Sequence, residues 1–471
     1  MNSNLLLFGL AGLAGMAIAI RGLFRPFLGL IVLMSLHFLQ PGELVPALGP
    51  LRIEFVYAIL MLCIGLRRKR SEITKLLKTD KIVKATIFLE AVIILTIPFA
   101  VWKGGAFDCA LEFSKMLILQ FLIIFLLDSK ERLAMMFWFM VVLMMWFAGT
   151  TLSAYLSGDF YVVNGVQRAQ GLNSMVGDPN ALAGFLVALL PFSLELAASS
   201  RRNLVKIFLA LCALMTLVML LFTGARIALI AIFGMILLYF IRSKHKIRVI
   251  VSFAVLALCI WSFLPDQYKA RYLTVKQYAE GEQLDDSNKA RLAVWDAGWR
   301  MLEDHPVLGV GAGQFAIAYG TLYLKAQGKA WFQPHNLFLQ VACELGVVGL
   351  LAFSYFLFQI AKGIKQVLES RGEKDFSRNY HFAEACLYMM VGIAIVSTVS
   401  HTLYRPYWYM LAGLVSANQA IYAKQKASQG RKASRKSPED LRGAGWKAKR
   451  VVRKRRDRVP SYGRSVVRWK T

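Results

Sequence analysis

Residues 337–358 read LFLQVACELGVVGLLAFSYFLF and are entered through Pro334-His335-Asn336. A bilayer-crossing helix needs about 20 mostly apolar residues, so this run can span. Its polar entrance places a titratable imidazole where water gives way to lipid. Ionisable groups at such a boundary are costly unless used, which makes His335 a functional candidate. Upstream lies the one long polar stretch of the chain, 265–334, which ends at the same turn.

Outward from this helix the composition agrees. With 57% hydrophobic residues over 471 and a mean hydropathy of +0.50, the chain is a polytopic membrane protein and not a large soluble enzyme. Backbone groups in lipid must be satisfied within the segment, so the expected fold is all-α. Apolar stretches fall near 5–20, 23–38, 52–66, 84–102, 112–127, 133–152, 179–198, 204–222, 225–241, 249–264, 336–360, 383–399 and 407–423. They predict twelve or thirteen transmembrane helices in a domain covering 1–423, with one large loop at 265–335. The first two stretches, joined by Arg21-Gly22-Leu23-Phe24-Arg25-Pro26, read equally as two crossings, a re-entrant pair or one broken helix.

Basic residues orient the bundle, because cytoplasmic loops hold an excess of Lys and Arg. The basic connections are Arg67 through Lys84, Ser199 to Arg202, Arg242 to Arg248, Lys362 to Arg378 and everything after Lys424. Alternating spans put all of them on one side. The opposite side holds 39–51, 103–111, 153–178, 223–226, 265–335 and 400–406. Residues 424–471 carry 18 Lys or Arg against Glu439, Asp440 and Asp457, and so 15 of the formal +28. This tail predicts a disordered, cytoplasmic segment lying against anionic headgroups; no motif supports nucleic-acid binding. Six cysteines form neither a CxxC pair nor metal-ligand spacing: five lie in apolar segments and Cys109 in a short outer loop.

Polar residues collect on the outer face. Asp178 with Pro179 is a helix N-cap followed by proline at the first helical position. Arg168, upstream in Gln167-Arg168-Ala169-Gln170-Gly171, has no such role and reads as a loop charge or a contact to an anionic group. Thr223-Gly224-Ala225-Arg226 joins two apolar runs almost without a loop. Arg226 therefore snorkels to headgroups or binds a phosphate at a cavity mouth, a role suited to a planar guanidinium. Residues 288–303 form an amphipathic helix with Leu292, Trp295, Trp299 and Leu302 as its apolar stripe, and Arg291 one turn before Trp295. Pro306 to Gly313 is a glycine-rich turn without the GK[ST] of a nucleotide loop. His401 to Pro406, containing Tyr404 and Arg405, is a further outer turn. Glu90, Glu195 and Glu344 are acids within apolar segments.

Three arginines and a histidine on one rim, without clustered carboxylates for a metal, point to chemistry on a phosphorylated substrate. The pattern His335-Asn336, nine residues, Gly346-x-x-Gly349 resembles the signature of bacterial O-antigen ligases. Thr223-Gly224-Ala225-Arg226 is similar to that family's TGSR-type turn, with alanine where serine is common. Arg168…Gly171…Asp178-Pro179-Asn180 resembles an element shared with O-antigen polymerases. The resemblance covers roughly 150–410. It implies an inverting glycosyltransferase of lipopolysaccharide biosynthesis, without metal or cofactor, in the bacterial inner membrane with its site facing the periplasm. The implied donor is a glycan on undecaprenyl diphosphate, and the acceptor a hydroxyl of lipid A core or another surface molecule. In this reading His335 is the general base, Arg226 and Arg291 hold the diphosphate, and Arg168, Asn336, Asp178 and Arg405 line the donor or acceptor pocket. A polymerase or a protein O-oligosaccharyltransferase would use similar groups. A lipid-linked glycan transporter is the competing class, although it requires a polar route through both faces.

Overall fold

A computed structural model of the chain describes residues 3–163, 165–279, 286–324 and 331–434. Two helices open it, α1 (Ser3–Phe24) and α2 (Pro26–Leu39), separated at Arg25. A Cβ on Gly22 would lie 2.9 Å from the Gly29 Cα, so the two short segments fold closely on each other as a hairpin. The chain continues through α3 (Pro41–Leu44), α4 (Ile53–Thr79), α5 (Lys81–Thr96), α6 (Lys103–Leu126) and α7 (Lys130–Leu156). Residues 103–111, expected as an outer loop, are the first turns of α6, and Cys109 lies in them.

A small antiparallel hairpin follows, β1 (Tyr161–Val163) and β2 (Val166–Arg168), pairing Tyr161 with Arg168. One short two-stranded sheet thus accompanies the expected all-α architecture. Next come α8 (Pro179–Ser199), α9 (Asn203–Phe222), α10 (Arg226–Arg242) and α11 (Lys246–Phe263). The expected loop is largely helical, with α12 (Asp266–Ala279), α13 (Asp286–Asp304), α14 (Phe315–Ala318) and a π-helical turn at Tyr319–Tyr323; 280–285 and 325–330 lie outside the described residues. The last helices are α15 (Leu337–Leu368), α16 (Ser377–Ser397) and α17 (Pro406–Ser434).

Among the described residues nine helices are long and apolar enough to cross a membrane, falling on α4 to α9, α11, α15 and α16. The stretches expected at 225–241 and 407–423 are also helical, as α10 and the first part of α17. The former has only 17 residues. The chain divides into two compact units, Met1–Ile421 and Tyr422–Thr471. Helix α17 runs on to Ser434, so the start of the basic tail is helical and not disordered; 435–471 lie outside the described residues.

Helix α8 is the hub, packed against α7, α9 and α16; its membrane window is 72% buried, against 6% for peripheral α11. Small residues allow this closeness, as expected where lipid supplies no hydrophobic drive between helices. A Cβ on Gly392 of α16 would meet Val187 of α8 at 2.7 Å, and one on Gly184 of α8 would meet Val396 at 3.0 Å. Edge-on aromatic contacts lock the same helices, with Phe137 4.8 Å from Phe382 and 6.0 Å from Phe192.

Candidate active site

The site forms where four helix ends and two loops meet. Asp178 caps α8: its Oδ1 accepts from the Asn180 and Ala181 amides at 2.8 and 3.0 Å, with Pro179 at the first helical position. Asn180 in turn accepts at 3.0 Å from Arg168 Nη2, whose Nε donates to the Thr223 carbonyl at 2.7 Å. Buried Arg168 thus ties the β-hairpin to the start of α8 and the end of α9. On the other side of the same turn, Arg271 Nε of α12 donates to the Gly224 carbonyl at 2.8 Å. Gly224 has φ +59°, and a Cβ there would lie 3.1 Å from Arg271 Nε and 3.4 Å from Arg168 Nε. Arg226 is the first residue of α10.

Three arginines therefore converge on the Thr223-Gly224 turn. Burial, then repulsion from Arg271, lowers the Arg168 pKa to about 10, with Asp178 opposing. Nothing in the sequence singled out Arg271; its only signal is a place between Tyr268 and Tyr272, one of whose hydroxyls donates to Gln167 and the other to Leu221.

The second half is built on α15. Asn336 is its N-cap, with the side chain accepting from the Leu339 amide at 3.1 Å. The geometry thus gives Asn336 a capping role. His335 is forced into the left-handed region at φ +45°, sparsely populated by residues with a Cβ and often found at functional sites. Trp295 Nε1 donates to the Pro334 carbonyl at 2.9 Å, so α13 fixes this turn. The His335 ring lies 5.4 Å from that of His401, edge to face. Burial above all, then Arg291, lowers the His335 pKa, with Asp178 pulling the other way. His401 is pushed down to about 4 by burial first, then by His335 and Arg405, again opposed by Asp178. Its Nδ1 is buried without a hydrogen-bond partner among the described residues. Arg405 donates to the Met175 carbonyl at 3.3 Å. Asp178 is the shared neighbour of the arginine turn and the histidine pair.

Gly346 explains the second half of the sequence signature. It breaks α15 with φ +65° and ψ −163°, a combination essentially confined to glycine. The segment 306–313 threads this break. The Val310 and Gly311 amides donate to the Cys343 and Glu344 carbonyls at 2.8 and 3.1 Å, and the Val347 amide donates to the Pro306 carbonyl at 2.9 Å. This glycine-rich turn makes its close backbone approach to α15.

Buried Glu344 accepts from the Gly313 amide at 2.9 Å and the Tyr404 hydroxyl at 2.8 Å, joining this loop to the His401 turn. The other acids within apolar segments are also partnered. Ser114 donates to Glu90 at 2.5 Å. Glu195 lies 2.8 Å from His381 Nδ1.

The apolar face of α13 is displaced from its predicted stripe. Leu292 and Trp299 are exposed, whereas Val294, Ala297 and Met301 are buried. The small residues decide this: a Cβ on Gly298 would sit 2.9 Å from Leu339, and Cys343 Sγ contacts the Gly298 carbonyl at 3.1 Å.

Among the described residues one group brings metal-ligand atoms together, contrary to the sequence spacing: Glu195, His381 and Glu384, all within 4.8 Å. It lies at the opposite end of α8 and α16 from the site. Its charges are matched within the protein, since Arg242 pairs with Glu384 at 2.9 Å.

Residues 210–354 match the family model described as O-antigen ligase. Over that segment the chain is similar to the O-antigen ligase family. The matched segment contains the Thr223–Arg226 turn, Arg271, Arg291, His335, Asn336 and Gly346; Arg168, Asp178, His401 and Arg405 lie outside it. A Rickettsia conorii protein named "Putative polysaccharide ligase" is 26% identical over 124 residues, 25% of this chain and 28% of that relative. A Rickettsia felis protein of the same name is 23% identical over 124 residues. The match thus spans little more than a quarter of these relatives.

Proposed function

We propose that the chain is an inverting glycosyltransferase that moves a glycan from undecaprenyl diphosphate to an acceptor hydroxyl at the periplasmic face of the inner membrane, with lipid A core as the first acceptor to test. The observation that carries this is His335, held neutral by burial and Arg291 beside a turn ringed by Arg168, Arg226 and Arg271. In this reading one His335 nitrogen takes the acceptor hydroxyl proton while the oxygen attacks the anomeric carbon. The bond from that carbon to the diphosphate oxygen breaks from the opposite face, and the electron pair leaves on undecaprenyl diphosphate. Arg226 and Arg291 hold the departing charge, the work a divalent cation does elsewhere. Arg168 donates to the Thr223 carbonyl and to Asn180, and Arg271 to the Gly224 carbonyl; they position the turn and add to its positive field. Arg405 and Asp178 border the acceptor side.

Transfer from purified undecaprenyl-diphosphate glycan to lipid A core, with EDTA present, tests the reading. His335→Asn is expected to lose about 10²–10⁴ in kcat, and Arg226→Ala to lose transfer at unchanged yield. Abolition of wild-type transfer by EDTA would overturn the metal-free mechanism. Donor consumed into longer polymers would move the chain to the polymerases, and an inert donor would favour transport.

A further inference from the structure

A cavity of about 810 Å³ opens at the end of the bundle away from the site. Its walls are the starts of α7 and α16 and the end of α8, three helices whose other ends lead to the catalytic rim. With 27 residues in α7 and about 1.5 Å of rise per residue, the two places are roughly 40 Å apart. The volume lies within the roughly 300–1,000 Å³ typical of small-molecule sites.

Lys130, Arg201, Lys374 and Arg378 line it against two acids, Glu131 and Asp375. The Arg378 guanidinium donates to the Lys130 carbonyl at 2.9 Å, joining the starts of α7 and α16. Both starts line the cavity, so their partial positive charge adds to the four cations, an arrangement that favours an anion. Ser199, Ser200, Ser377 and Asn379 add uncharged polar groups, and the rest of the wall is apolar. Trp138, Leu196 and Val205 face the cavity, and exposed Leu204 and Phe208 continue that surface along the outside of α9. The connections between α8 and α9, α10 and α11, and α15 and α16 make this end the basic one, so it belongs beside the anionic leaflet.

We propose that this cavity seats the phosphate headgroup of an anionic phospholipid, with Arg201 and Lys374 as its cationic partners and the acyl chains lying along α9. The site is independent of the glycosyl-transfer chemistry and stands or falls without it.

The test is native mass spectrometry of the purified full chain with phosphatidylglycerol, phosphatidylcholine or inorganic phosphate alone. The wild type should retain phosphatidylglycerol in preference to phosphatidylcholine. Arg201→Ala with Lys374→Ala should weaken that retention roughly tenfold or more, each cation contributing on the order of a few-fold. The charge-keeping pair Arg201→Lys and Lys374→Arg should preserve it, which separates lost binding from lost folding. Equal retention of the two lipids by the wild type, or of phosphatidylglycerol by the wild type and the alanine pair, would overturn the proposal. So would occupancy by inorganic phosphate with no preference between lipids, which would assign the cavity to a soluble anion.

Discussion

Three separate constraints hold His335, the proposed base. Asn336 caps α15, Trp295 holds the Pro334 carbonyl, and the left-handed backbone turns the imidazole toward His401. Its pKa is lowered, so the neutral ring that can accept a proton persists below pH 6.5. If His335 is the base, kcat/KM should fall on the acid side with a midpoint below 6.5. Arg291→Gln removes one cause of the lowering and should move that midpoint to higher pH, whatever it does to the rate. A pH profile of both proteins measures this; an unmoved midpoint would separate Arg291 from the base. The sequence made His335, Arg226 and Asp178 visible because their types are unusual beside apolar runs. It left Arg271 hidden, since an arginine within a polar segment is unremarkable until the fold brings it to Gly224.

The decisive element is the broken helix α15. A Cβ at Gly346 would lie 2.2 Å from the Val307 carbonyl oxygen, and the φ of +65° at that ψ adds backbone strain of about 1–3 kcal/mol for any other residue. Gly346→Ala should therefore lower thermal stability and uncouple the 306–313 segment. Gly149 of α7 has nothing within 4 Å of a built Cβ; Gly149→Ala should instead be neutral or stabilising by up to about 1 kcal/mol. Thermal unfolding in detergent compares the two, and equal behaviour would contradict the close approach. Periodicity located α15 and α13 because hydrophobic spacing is local. It misplaced the buried face of α13, because contact through Ala297 and Gly298 depends on what lies opposite.

At the scale of the molecule, the helix ends sort into a rim carrying histidines and arginines and an opposite end carrying the basic connections. With the rim outward, single cysteines at Asp159 and Gly372, in a background without the native six, should react oppositely with a membrane-impermeant thiol reagent. Position 159 should label from the periplasm and 372 only after the inner face is opened; the reverse pattern would invert the proposed site.

Sequence alone determined that the chain is a helical membrane protein, where most of its apolar helices lie and which turns bear the candidate chemistry, because burial in lipid imposes length and polarity rules that each segment must obey by itself. Tertiary structure decided that Arg168 and Arg271 clamp one turn, that Gly346 admits a loop, that His401 faces His335 and that a basic cavity closes between α7, α8 and α16. Each of these depends on distance between residues far apart in the chain, which no local spacing records.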